Sequence, residues 1–495
     1  MTRNQRRDPR VVIIGAGMSG ILMTIKLREA GITDICVLEK GESVGGTWRE
    51  NRYPGLACDI PAHMYTYAFE PNPEWEHRFA RGPEIRRYFE QVADKYDVVR
   101  DVRFNEAVER CVYEGGVWHL TTSKGAELEA DLVISATGIL HHPAYPDIEG
   151  LEQFEGECFH TARWPDKLSL KGKRVGIIGT GSTAAQVIPE LVKEAGQVVV
   201  FQRTPQWIYP APDREYDASL RAKVRKNPRL ARRAYRWYTR AIELFFSRAV
   251  IGQRIPHFLM SWACRQHLKR KVKDPELRRR LTPDYTVGCK RVIVSTKFYD
   301  AIQAPNCRLV TEGIERVDAN GVVTADGQHH GLDLLVLATG FHPFNFMRPM
   351  ELVGRDGLHI NKAWVKRVQA YRSLLIPGFP NFFLMLGPNT PIGNFSVIAM
   401  SEVQSHYLLQ LIERWRRGEV QEIEATTEAT ERFNQYLRGG MAHTVWVGGC
   451  NSWYLDNEGV PAMWPYTWGQ WVKEMSAPQW SDFTQGAGLS REARG

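Results

Sequence analysis

The strongest constraint on the fold of this 495-residue sequence is a glycine-rich turn that occurs twice. The apolar run Val11–Ile14 leads into Gly15-x-Gly17-x-x-Gly20, then an apolar helical pattern from Met18 to Glu29, then a second apolar run, Ile35–Leu38, ending in Glu39. Further along, Arg174–Ile178 leads into Gly179-x-Gly181-x-x-Ala184, and Val198–Gln202 ends beside Arg203. In such a unit the first glycine permits the tight turn and the second lets a pyrophosphate approach the backbone. The third small residue lets helix and strand pack closely. The helix N-terminus offers N–H donors and a positive dipole end to phosphate. A lone glycine pattern is weak. With strand, helix and second strand in place twice, it implies an α/β protein with two Rossmann-like dinucleotide-binding domains.

The residue that ends each second strand distinguishes the two units. Glu39 lies 19 residues after Gly20, and Arg203 lies 19 residues after Ala184. An acid at that position accepts hydrogen bonds from ribose hydroxyls, whereas an arginine pairs with a ribose 2′-phosphate. The first unit therefore suits FAD and the second NADPH.

A chain of this length exceeds one core and implies two or three domains. Its 43% hydrophobic and 24% charged content fits a globular protein rather than a disordered or fibrous one. The eight cysteines include no C-x-x-C pair, so neither a zinc ribbon nor a dithiol redox site is expected, no metal is implied, and a reduced cytoplasm is the simplest setting. The basic start, Met1–Arg10, followed by apolar Val11–Ile25, imitates a signal peptide, but the glycine-rich unit accounts for the same residues. No apolar run is long enough to span a membrane as a helix.

The formal charge of +8 is uneven: Asp213 to Arg280 carries 20 Lys and Arg against 6 Asp and Glu, a net +14, which leaves −6 for the rest. Such a block can meet nucleic acid or anionic lipid. Here Leu220, Val224, Leu230, Ala234 and Trp237 recur at near-helical spacing. That favours amphipathic helices with a solvated basic face and no nucleic-acid partner, with peripheral membrane contact as the lesser alternative. The oligomeric state is not legible.

One stretch carries a family signature. Phe154, Gly156, His160, Trp164 and Pro165 stand in the pattern F-x-G-x-x-x-H-x-x-x-W-P. This resembles the fingerprint of the type I Baeyer–Villiger monooxygenases. The related flavin-containing and N-hydroxylating monooxygenases usually carry another aromatic at the tryptophan. The similarity runs from about residue 8 to about residue 470. By this resemblance Gly46, Thr47, Trp48, Asp59 and Tyr65 line the flavin, and Ala57, Cys58 and Asp59 lie near the nicotinamide. Gly179, Thr180, Gly181, Ser182, Thr183, Ala184, Gln186, Arg203 and Thr204 hold NADPH, with Lys290 on the 2′-phosphate. Trp453, in Asn451-Ser452-Trp453-Tyr454, belongs to a further cofactor segment. Arg291 is the active-site arginine, positioned by Asp59.

The resemblance also implies a domain plan. Asp131–Gly138 and Asp333–Gly340 are near-repeats, each an apolar strand ending in Thr-Gly. They are expected to close the FAD domain and re-enter it. FAD would occupy residues 1–150 and 331–495, and NADPH 151–330, with a helical insertion at about 213–280 and the fingerprint at the junction.

The implied activity is NADPH- and O2-dependent conversion of ketones to esters or lactones through a C4a-peroxyflavin, with sulfoxidation as a further outcome. Arg291 would stabilise the peroxide anion and its adduct. The alternative is a flavin monooxygenase acting on sulfur or nitrogen, which needs the protonated hydroperoxide; Trp164-Pro165 and Arg291 count against it. A non-catalytic FAD-binding protein is less favoured, because the second turn is intact. Leu455-Asp456-Asn457-Glu458-Gly459 replaces the glycine- and proline-rich loop of cyclohexanone- and phenylacetone-type enzymes. It resembles the branch of 4-hydroxyacetophenone and ethionamide-oxidising monooxygenases.

Overall fold

The computed structural model describes residues 8–390, 393, 395–450, 452–456 and 458–484; Met1–Arg7, Asn451 and Asn457 lie outside the described residues. Two five-stranded parallel sheets carry the architecture. The first contains β1 (Val11–Ile14) at its centre and β2 (Ile35–Glu39) beside it, with helix α1 (Met18–Glu29) between them in sequence. Its outer positions are filled by Val102–Phe104 next to β2, Leu132–Ser135 on the other side of β1, and Phe382–Leu384 beyond that. The second sheet repeats the arrangement around β3 (Arg174–Ile178), helix α2 (Ser182–Glu194) and β4 (Gln197–Phe201). Cys307–Val310 lies next to β4, Leu334–Leu337 next to β3, and Glu157–His160 outermost. All four residues of β1 are buried, as expected of parallel strands covered on both faces.

The near-repeats occupy equivalent places, one in each sheet. Asp131 accepts from the Arg10 backbone N–H at 2.7 Å and Asp333 from the Arg174 N–H at 2.8 Å, so each aspartate pins the entry of its sheet's central strand. This corrects the expected return to the first sheet at residue 331. Leu334–Leu337 pairs with β3 because it is the second sheet's counterpart of Leu132–Ser135. The chain re-enters the first sheet at Phe382–Leu384.

Two glycine turns illustrate how tightly the framework is packed. Gly15 has φ +104 and a side chain there would meet the Ala136 carbonyl at 2.8 Å; Gly179 has φ +111 and would meet the Ala338 carbonyl at 2.5 Å. Both turns are thus pressed against the Ala-Thr-Gly end of the repeated strand.

The connections between the sheets run alongside each other. Pro143 and Phe341 pair antiparallel, the Ala144 N–H donates to the Gly340 carbonyl at 2.9 Å, and the His342 N–H donates to the His142 carbonyl at 2.9 Å. The basic block forms helices, among them α3 (Pro228–Ile242) and α4 (Arg254–Lys271), joined through a π-helical turn at Glu243–Ser247. Val224 is buried as its spacing suggests, but Leu230 and Trp237 are exposed, so the predicted apolar stripe of α3 does not face the core. No helix among the described residues is long and apolar enough to cross a membrane.

Within the glycine turns, the third and second small positions differ in what an added methyl would meet. At Gly20 it would stand 1.9 Å from the Gly15 carbonyl, whereas at Gly181 nothing lies within 4 Å. Gly20→Ala is expected to destabilise the protein by about 3 kcal/mol or more. Gly181→Ala should cost no more than about 1 kcal/mol, the range of a helix-cap substitution. Thermal unfolding of the two variants checks the contrast.

Candidate functional site

A cleft of about 610 Å³ lies where the loop Tyr53–Asp59 faces α2 and the segment Val294–Lys297; it is lined also by Trp48, Arg52 and Arg81. The loop is held from outside its own sheet. Gln186 of α2 donates through Nε2 to the Ala57 carbonyl at 2.9 Å, while its Oε1 accepts from the Ala57 N–H at 3.3 Å and the Tyr53 hydroxyl at 3.2 Å. Gly55 fits only as glycine: it has φ +79, and a Cβ would meet the Gln186 carbonyl at 2.3 Å. The resemblance had assigned Gln186 to the nucleotide; in the structure its amide clasps the loop.

Arg291 reaches the same loop. Its Nε and Nη2 both donate to Asp59 Oδ2, at 3.1 and 2.6 Å. Asp59 follows the first glycine unit in the chain and Arg291 follows the second, so the pair joins the two. The Asp59 carboxylate raises the Arg291 pKa above the usual arginine range. Tyr454 lies against this pair: burial pushes its hydroxyl up to about 12, and the Arg291 charge pulls it back. Tyr454 was named only as part of a matching segment; burial and its charged neighbour give it a place in the site. Trp453, beside it, is 37% exposed.

Glu39 is buried. Its Oε2 accepts from the Ala16 N–H and its Oε1 from the Gly41 N–H, each at 2.8 Å, and Arg49 pairs with it at 2.9 Å. The acid therefore braces the glycine turn. Gly46, at φ +53, would place a side chain 2.9 Å from the Gly17 Cα, so backbone meets backbone there. Thr47 opens the short helix Thr47–Glu50, and Trp48 Nε1 donates to the Tyr65 hydroxyl at 3.1 Å. Cys58 and Tyr65 are buried, which raises both pKa values.

In the second unit Ser182 and Thr183 open α2. Thr180 Oγ1 donates to the Thr204 carbonyl at 3.0 Å and ties the turn to the end of β4. Ala184 is buried against the sheet. Arg203 is exposed, and neither it nor Lys290 forms an ion pair among the described residues. Burial, with the positive charge of Arg203 second, lowers the Lys290 pKa. Two cations thus share one neighbourhood, with Asp284 acting on Lys290 only from beyond ion-pair distance, and they suit an anion.

The fingerprint residues flank the outer strand of the second sheet: Phe154 and Gly156 precede it, His160 ends it, and Trp164 and Pro165 follow the turn after it. Phe154 is buried, and Gly156 leaves no room for a Cβ between the Phe154 ring at 2.6 Å and the Asp333 carbonyl at 2.7 Å. His160 is fully buried; its Nδ1 accepts from the Ala162 N–H at 3.1 Å, and among the described residues its Nε2 makes no hydrogen bond of good geometry. Its ring packs against Tyr145 and Phe341, one from each connection between the sheets, with centroids 5.6 and 5.7 Å away. Trp164 stands edge-on to Phe159 at 5.1 Å, and Pro165 precedes Asp166, which pairs with Arg52 of the cleft at 3.0 Å.

The structure also joins Cys289 to Cys450, 161 residues apart, in a disulfide next to Lys290 and Arg291. The absence of C-x-x-C pairs gave no hint of this bond. No sequence spacing signals a bond between segments that distant. The other six cysteines are free.

The family model described as pyridine nucleotide-disulphide oxidoreductase matches residues 12–252. An uncharacterised monooxygenase of Mycobacterium tuberculosis is 46% identical over 460 residues, covering 93% of this chain and 92% of the relative. A Baeyer–Villiger monooxygenase of Pseudomonas aeruginosa is 40% identical over 471 residues, covering 93% and 89%. Among solved structures, OTEMO in complex with FAD and NADP superimposes with a TM-score of 0.86 and 26% identity, over 95% of this chain and 98% of that one.

Burial holds the His160 pKa at about 4, below its ordinary 6.5. The unfolded chain therefore binds a proton that the folded chain refuses, and stability falls as pH drops from 6.5 towards 4. The loss attributable to His160 should reach about 3 kcal/mol at the acid end. Comparing denaturant unfolding of wild type and His160→Gln across that range checks it: the variant's curve should be flatter by that amount.

Proposed function

The chain belongs to the type I, FAD- and NADP-dependent Baeyer–Villiger monooxygenases and is an NADPH-dependent flavin monooxygenase; on that premise we propose how its residues share the work. In this reading the first sheet, its outer strand at Phe382–Leu384 included, holds FAD and the second holds NADPH. A ketone is oxygenated at the cleft between them to give an ester or lactone.

The residues fit both groups. In the first unit, the Gly17–Gly46 approach and the N-terminus of α1 form a backbone cradle with Glu39 bracing it. In the second, Gly181 faces open space at the N-terminus of α2, and Arg203 with Lys290 suits a 2′-phosphate. When bound, FAD reduced by NADPH supplies the activation of oxygen. Arg291 holds a fixed positive charge for the oxyanion that develops at the ketone carbonyl, at little cost in reorganisation. Asp59 sets its orientation and weakens its net field. His160 and Trp164 hold the junction that excludes water from the reacting centre.

The Arg291–Asp59 pair carries this reading: a cation of one unit is fixed by an acid of the other, on the loop that walls the cleft. We also place the substrate preference with the 4-hydroxyacetophenone and ethionamide-oxidising branch. Support comes from Arg367, which pairs with both Asp456 and Glu458, so an acidic pinned segment stands where a glycine- and proline-rich loop would be. The cytoplasm remains our reading of its location, on the six free thiols.

Two outcomes test the assignment. The wild type should prefer NADPH over NADH by at least about tenfold in kcat/KM, since each charged contact contributes about 1.5–3 kcal/mol. Arg203→Ala should narrow that ratio, and equal values in the wild type would refute the assignment of Arg203. Separately, Arg291→Ala should still oxidise NADPH but form no ester, with peroxide appearing instead. Chromatography of product alongside a peroxide assay reads both, and normal ester yield would remove Arg291 from its role.

A further inference from the structure

Of the 17 large apolar side chains exposed among the described residues, eight lie between Leu230 and Trp262. On α4, Ile255, Phe258, Leu259 and Trp262 are 74, 66, 44 and 51% exposed. Their spacing of i, i+3, i+4 and i+7 puts them on one helical face. Trp237 on α3 and Leu244 and Phe245 in the π-helical turn are 63, 38 and 60% exposed. This turn packs against α4, so the two apolar stripes adjoin.

The opposite faces of these helices are anchored. Met260 and Cys264 of α4, with Ala249 and Val250, are buried in one cluster with Val292, Trp446 and Tyr454. The outward stripe is therefore not a misplaced core: the core face is a different one, and it is filled. Around the stripe stand Arg232, Arg233, Arg236 and Arg240 on α3 and Arg265 and Lys269 on α4, all exposed and none in an ion pair among the described residues.

We propose that this face of the helical insertion docks peripherally on an anionic lipid bilayer. The charge decides between occupants. A second copy of the chain would set a +14 segment against another +14 segment. A nucleic acid would match the cations but leave Ile255, Phe258 and Trp262 against phosphate and water. A bilayer takes both features at once: the apolar stripe enters the acyl boundary, the tryptophans sit at headgroup level, and the guanidinium groups meet lipid phosphates. The helices lie in the plane of the surface, since none is apolar enough to cross it.

The test uses the full-length holoenzyme and co-sedimentation with vesicles, either of phosphatidylcholine alone or of phosphatidylcholine mixed with phosphatidylglycerol. Partition onto the mixed vesicles should exceed that onto the neutral ones by at least about tenfold and should weaken with added salt. Ile255→Ser/Phe258→Ser/Trp262→Ser should lose at least about tenfold in partition, as expected from withdrawing buried apolar area. Arg232→Gln/Arg236→Gln/Arg240→Gln should lose about fivefold per cation. Circular dichroism, thermal unfolding and the flavin spectrum confirm that both variants are folded and loaded. Equal partition of wild type onto both vesicles, or partition unchanged in both variants, overturns the proposal. So does self-association of the wild type that the triple serine variant abolishes, which would assign the face to a second copy.

Discussion

The site depends on one loop, Tyr53–Asp59, being held by groups that lie outside its own sheet. Gln186 fixes both backbone groups of Ala57, and Arg291 fixes Asp59 through two nitrogens. Neither sheet alone completes the wall of the cleft. Any change in the relative placement of the two units moves Ala57, Asp59 and Arg291 together. The antiparallel pairing of residues 142–144 with 340–342 limits that movement, and the buried His160 ring sits against both connecting segments. A displacement of about an ångström at reacting groups can cost on the order of a hundredfold in rate, so this junction belongs to the chemistry as much as to the fold.

Much of this was legible because it is local. The strands and helices of both glycine units follow from apolar runs interrupted by glycines at fixed offsets, and β1, α1 and β3 fall where the sequence places them. The opposite charges of Glu39 and Arg203 were legible for the same reason. What was not legible is long-range. The membership of Leu334–Leu337 in the second sheet depends on pairing with β3, and a strand's partner is not written in its own residues. Glu39 was read as a ribose acceptor; the sequence did not show that the same carboxylate also takes N–H groups of the turn and the Arg49 charge, as a buried carboxylate must. The Cys289–Cys450 bond and the contact of Gln186 with Ala57 likewise join residues more than a hundred positions apart.

Helix α3 shows a different limit. Helical spacing of Leu230, Ala234 and Trp237 was legible, but the side of the helix that faces protein was not. Periodicity reports that a face is apolar and leaves open what covers it. Here α3 packs inward through Tyr238 and Ile242, positions outside the Leu230–Trp237 pattern, and the Leu230–Trp237 stripe is turned outward.

The sheet orders carry a consequence for how the protein is made. During synthesis the second sheet has its outer strand, Glu157–His160, before its central strand emerges, and it is complete once residue 337 has left the ribosome. The first sheet starts earlier but waits for Phe382–Leu384, so its Leu132–Ser135 edge stays unpaired on the nascent chain in the meantime. The order of completion thus reverses the order of initiation. An open parallel edge is a template for wrong pairing while it lasts. The vulnerable interval in this protein's biogenesis is the translation of roughly the stretch between those two strands, when one nucleotide-binding sheet is closed and the other is not.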